Sequence, residues 1–130
     1  MNETDFRKAV VKHAHHNGWK VAFFHRLPTQ KGGWRTPVGA DGKGWPDLVL
    51  VRERVLFVEL KGNDGRLHPD QKLWLNNLAE AGAEVYVWRP RDWHEVERVL
   101  STPHGEREQR LEAATGGDHE QAEAVKRMLG

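Results

Sequence analysis

Two short apolar runs, residues 47–51 (DLVLV) and 55–61 (VLFVELK), flank the polar triplet Arg52-Glu53-Arg54. The spacing predicts a β-hairpin closed by a three-residue connection. Both runs are apolar at odd and even positions alike, which leaves neither strand a face to give to water. They are therefore central strands, covered by helices on at least part of each side.

The remaining chain supplies that cover. Residues 3–17 place Phe6, Val10 and Ala14 at i, i+4 spacing, predicting a helix that Gly18 stops. Residues 19–25 (WKVAFFH) read as a strand. Residues 27–46 hold five glycines and three prolines without apolar periodicity and read as a long loop rather than an element. A second helix begins at Pro69, carries Trp74, Leu75 and Leu78, and ends at Gly82. Residues 84–89 (EVYVWR) alternate as a strand that Pro90 breaks, and Asp92 with Glu95 resembles a capping box opening a helix that carries Val96, Val99 and Leu100. The order is α-β-β-β-α-β-α, an α/β fold on a mixed sheet. One domain over residues 1–100 fits the length, with a charged, helical tail over 101–130.

The informative residues are charges on faces that the pattern buries. If Val51 pairs with Val55, counting back sets Asp47 opposite Glu59, and period two puts Asp47, Val49, Phe57, Glu59 and Lys61 on one face. Facing side chains in a hairpin have Cβ atoms about 4.5–5.5 Å apart, so two carboxylates there repel unless a cation lies between them. Lys61 sits roughly 6–7 Å further along the same face. Alone, Pro46-Asp47 is an ordinary turn dipeptide, and Glu59 and Lys61 are ordinary edge charges. Their coincidence at matched positions makes a candidate centre. Glu3, on the stripe of the first helix, and Gln71, at the start of the second, are two more polar residues able to reach the sheet. Carboxylates without cysteine select a hard cation, Mg²⁺ or Mn²⁺, and such sites usually serve phosphate chemistry, with a lysine to stabilise the transition state. His13, His15 and His16 have no second cluster at ligand spacing and read as a helix face, whereas His25, ending the first strand, is placed to meet substrate.

Gly44-Trp45-Pro46-Asp47 and Glu59-Leu60-Lys61 resemble the G-x-P-D and E-x-K signature of the PD-(D/E)XK nuclease superfamily, whose restriction-endonuclease-like core has the same element order. The chain is similar more closely to its VRR-NUC branch, through Glu3, Gly18-Trp19, Gln71 and Val87-Trp88-Arg89-Pro90, over about residues 2–100. The resemblance implies that Asp47 and Glu59 are metal ligands, the Leu60 carbonyl a further ligand, Lys61 the catalytic lysine, Glu3 an outer or second-metal carboxylate, and Gln71 a residue that orders the site. It also implies a divalent-metal endonuclease acting on DNA, branched or duplex, with stand-alone members similar to Holliday-junction resolvases that work as homodimers. A non-cleaving nucleic-acid-binding module of the same fold, and a restriction-like or fork nuclease, are the alternatives.

Composition narrows the partners. No cysteine is present, which excludes disulfides and thiol chemistry. No apolar run approaches the roughly 20 residues of a membrane span, and no signal-peptide pattern opens the chain, so the expected location is intracellular, in the cytoplasm. The formal net charge of +1 is an average: residues 101–130 hold four basic and six acidic side chains, leaving 16 and 13 of the 20 and 19 to residues 1–100. Setting Asp47 and Glu59 aside as metal-neutralised raises the core to about +5, a charge suited to DNA. Arg26, Lys31, Arg35 and Lys43 are the expected backbone contacts, with Trp34 a stacking residue.

Overall fold

The computed structural model describes residues 1–24 and 38–102, together with the backbone pairing of residues 27–28 and 34–35. Helix α1 (Glu3–His16) opens on Asn2, whose side chain accepts the Asp5 N–H at 2.8 Å. It closes before Gly18, whose φ of +84° reverses the chain. Strand β1 (Lys20–Phe23) follows. It is shorter than the sequence predicts because Trp19 turns inward, its indole N–H donating to the Leu100 carbonyl at 2.8 Å.

Strands β2 (Leu27–Pro28) and β3 (Trp34–Arg35) pair antiparallel, so the segment read as a loop holds a small ladder. Two residues a side satisfy backbone groups without producing any apolar period, and the sequence pattern has no means of showing them. Strands β4 (Leu48–Val51) and β5 (Val55–Leu60) form the expected hairpin, Val51 opposite Val55 and Leu48 opposite Val58. Helix α2 (Pro69–Glu80), strand β6 (Glu84–Trp88) and helix α3 (Trp93–Ser101) complete the chain. A single 3-10 turn, Pro90–Asp92, precedes α3, and the Asp92 carboxylate accepts the Arg89 N–H at 2.9 Å. Asp92 therefore caps that turn and not α3, which corrects the capping-box reading of Asp92 and Glu95. Helix α3 itself reaches Ser101; residues 103–130, the rest of the expected tail, lie outside the described residues.

The four-stranded sheet runs β1-β4-β5-β6, antiparallel except for the parallel β5–β6 pair. Its two central strands are the two apolar runs. One face packs Leu48, Leu50, Leu56, Val58, Leu60 and Trp88 beneath Phe6, Val10 and Ala14 of α1 and Val96, Val99 and Leu100 of α3. The other packs Phe57, Val85 and Val87 beneath Leu75 and Ala79 of α2. Each aliphatic side chain buried this way contributes about 1.5–3 kcal/mol. The hairpin turn also holds α3 in place, since the buried Arg54 guanidinium donates to the Val99 and Thr102 carbonyls and pairs with Glu84 at 3.0 Å. Arg52 lies over the Trp19 ring, 4.5 Å from its centre.

Candidate active site

The α2 face of β5 carries a fully buried glutamate. Glu59 alternates with Phe57 toward α2, and period two alone sends it into an otherwise apolar layer. One carboxylate oxygen, Oε1, accepts a hydrogen bond from Gln71 Nε2 at 2.9 Å. The other, Oε2, is buried as well. Burial above all, then the charge of the neighbouring Asp47 and a side-chain hydrogen bond shared with it, pushes the Glu59 carboxyl up to about 9, with the Lys61 ammonium acting in the opposite direction.

Asp47 arrives at the same place from the start of β4. Its main-chain oxygen accepts the Phe24 N–H at 3.1 Å, continuing the β1–β4 ladder by one residue, while its side-chain Oδ2 accepts the Leu60 N–H at 3.0 Å. The hairpin register thus carries the aspartate across to the Glu59-Leu60-Lys61 segment. Gly44 makes the approach possible. Its φ is +91°, and a Cβ there would fall 2.6 Å from the Asp70 main chain, so the 44–47 segment lies against the start of α2 only because residue 44 has no side chain. Trp45 fills the space beside it, edge-on to Phe57 and to Trp74 with ring centres 5.6 and 5.0 Å away, and Trp74 donates to the Asp41 carbonyl at 2.9 Å.

Lys61 is nearly as buried, at 5% exposed, and its N–H continues the β5–β6 ladder to the Trp88 carbonyl at 3.0 Å. Gln71 has two duties: its Oε1 accepts the His68 N–H at 2.8 Å, capping α2, while its Nε2 holds Glu59. The sequence pattern allows the reach toward the sheet; the cap is a finding of the structure. Arg89, visible in the sequence only as part of a motif, donates to the Gly62 and Gly65 carbonyls from the end of β6. A hydrogen bond so distant along the chain leaves no local signal.

Asp47, Glu59, Lys61 and Gln71 are therefore neighbours, together with the Leu60 main chain. Glu3 comes from a different element. It lies half-buried in the first turn of α1, the helix whose apolar stripe covers the opposite face of the sheet, and among the described residues no three Asp, Glu or His side chains gather to hold a metal ion. That also leaves the α1 histidines without a site; His13 packs on the Trp93 ring at 5.6 Å and meets Asn17. Lys43 is 85% exposed at its side chain and 3.4 Å from Asp70, an ion pair of little energetic weight at that exposure. The backbones of Trp34 and Arg35 belong to β3; His25, Arg26 and Lys31 lie outside the described residues.

No helix among the described residues is long and apolar enough to cross a membrane. No curated protein matches the chain. The family model described as the VRR-NUC domain matches residues 3–92, a span that runs from the first turn of α1 through the 3-10 turn after β6 and includes every residue of the buried site.

Proposed function

Because the chain belongs to the VRR-NUC domain family, a family of nuclease-type fold, we propose that it is a divalent-metal-dependent DNA endonuclease, structure-selective for branched DNA such as four-way junctions. The observation that carries this reading is the fully buried Glu59 carboxyl set against the Asp47 side chain, two acidic groups brought together in an otherwise apolar layer. A burial of this kind is costly unless something positive completes it. The donors fit a hard cation, being carboxylate oxygens of Asp47 and Glu59 with the Leu60 carbonyl next in the chain, and these residues would hold Mg²⁺ or Mn²⁺. When bound, such an ion supplies Lewis acidity for activating water and for offsetting charge on the phosphate oxygens.

The protein's own groups do the rest. To hold a cation, Glu59 would have to give up the proton that burial keeps on it. Gln71 keeps the carboxylate in one rotamer through Oε1, and the Leu60 N–H does the same for Asp47 through Oδ2. Lys61 places a positive charge on the same strand, two residues beyond Glu59, where it stabilises negative charge developing on the phosphate. The exposed Lys43, with His25, Arg26, Lys31, Trp34 and Arg35, provides the DNA contacts, and two copies about a two-fold axis would nick opposed strands of a junction symmetrically.

The test is a panel of labelled four-way junctions, flaps, duplex and single strands, each with and without Mn²⁺. Metal-dependent cleavage that favours the branched substrates is the expected result. Binding without product on every substrate would instead identify a non-cleaving DNA-binding module, and preference for unbranched duplex a restriction-like nuclease.

A further inference from the structure

We propose that Arg89 is a positioning residue for Lys61, acting through the turn of residues 62–65. This rests on the reading of Lys61 as the catalytic lysine. Arg89 lies at the end of β6, and one guanidinium nitrogen, Nη1, donates to two carbonyls of that turn, Gly62 O at 2.7 Å and Gly65 O at 2.5 Å. The turn is closed on itself by the Gly65 N–H to the Gly62 carbonyl at 3.1 Å. Both Arg89 acceptors therefore belong to the segment that leaves Lys61.

That segment also lies against the lysine side chain. A Cβ placed on Gly65 would be 3.4 Å from Lys61 Cδ, so the backbone of the turn forms a wall along the lysine stem. Lys61 is left 5% exposed, although the segment directly after it is a short polar loop. Arg89 is itself fixed. Its N–H donates to Asp92 at 2.9 Å, Pro90 sets the backbone after it, and Arg91 ties the same turn a second time, its N–H donating to Asn63 Oδ1 at 3.1 Å. At the far end of the loop, Gln71 holds His68. The loop between the lysine and α2 is thus pinned at 62, 63, 65 and 68, and at the first and third of these one arginine nitrogen serves both carbonyls.

Two readouts test this. In metal-free protein, acetylation of Lys61 by an amine-reactive ester is followed by peptide mass spectrometry, with exposed Lys72 as the reference in the same sample. Arg89→Ala is expected to raise the Lys61 rate about tenfold or more relative to Lys72, as the wall opens. In Mn²⁺-dependent cleavage the same variant is expected to lower kcat with little change in KM, and added guanidinium ion to restore part of it. Should Arg89→Ala fail to fold, Arg89→Met, which keeps much of the stem and removes every donor, is read in the same way. An unchanged Lys61-to-Lys72 labelling ratio overturns the proposal, and so does faster labelling with unaltered kcat. A wild-type protein that cuts no DNA defeats the nuclease reading instead, while the labelling ratio still decides whether Arg89 holds Lys61.

Discussion

Gln71 joins the start of α2 to the buried carboxylate of Glu59, donating from Nε2 to Oε1 at 2.9 Å while its own Oε1 accepts the His68 N–H at 2.8 Å. One side chain thereby caps a helix and orients a candidate ligand. Gln71→Ala removes both bonds, and the expected loss of stability is about 1–3 kcal/mol, read by urea unfolding of the metal-free protein. Mn²⁺ affinity should fall as well, because Glu59 is then free to turn. A variant as stable and as metal-competent as the parent would mean that the two bonds matter little.

Glu59 makes the metal-free protein sensitive to pH in a defined direction. Its carboxyl is raised from about 4.5 to about 9, so the folded chain retains a proton that the unfolded chain has lost. The stability that goes with that proton is complete below about pH 4.5 and is lost as pH rises through the interval up to about 9, at roughly 1.4 kcal/mol per pH unit for a full proton. Glu59→Gln, which cannot ionise, should flatten this dependence and be the more stable protein at about pH 8 without metal. Equal slopes for the two proteins in metal-free melts would contradict the assignment.

Gly44 should tolerate no side chain. Gly44→Ala combines a φ of +91° with a Cβ 2.6 Å from the Asp70 backbone, and moving the start of α2 to relieve the clash displaces Gln71 as well. The expected cost is about 1–3 kcal/mol with a parallel loss of cleavage. Thermal unfolding and a cleavage assay at a temperature where the variant is folded check the two effects separately.

DNA binding through Arg26, Lys31, Arg35 and Lys43 would show in salt dependence. Every duplex phosphate that one of these cations neutralises steepens the fall of log affinity with log salt by about 0.9, so replacing all four should flatten that slope. Affinity should fall alike across sequences. A slope unaltered by the fourfold replacement would remove these residues from the interface.

The sequence made the hairpin legible in detail because both of its strands had to be buried and only one register keeps Asp47 and Glu59 on a shared face. Its three-residue turn, the Val51–Val55 pairing and the central place of both strands all follow from that constraint. Gln71 was half legible: its place at a helix start, three and four residues before Trp74 and Leu75, allows a reach toward the sheet, but its cap on the His68 N–H and the choice of Glu59 as partner depend on how α2 begins and lies across the sheet. The turn-holding role of Arg89 depends on β6 lying parallel beside β5, a long-range pairing with no local pattern. Glu3 carries a weaker signal. Its place on the apolar stripe reads as pointing inward, and an acidic side chain in the first turn of a helix is also stabilised by the N-terminal end of the macrodipole, so the pattern alone does not separate the two. Asp92 went to the nearer turn for a related reason, since the Arg89 N–H lies three residues before it and is within reach before α3 begins.

The central claim is that Asp47 and Glu59 together form the metal-dependent cleavage centre, and the most direct test is the single-turnover rate of purified Asp47→Ala on a labelled four-way junction in Mn²⁺, beside the wild-type protein. A fall of about 10³-fold or more, with a melting temperature close to the parent's, is the predicted result. Cleavage by Asp47→Ala at the wild-type rate would contradict the account.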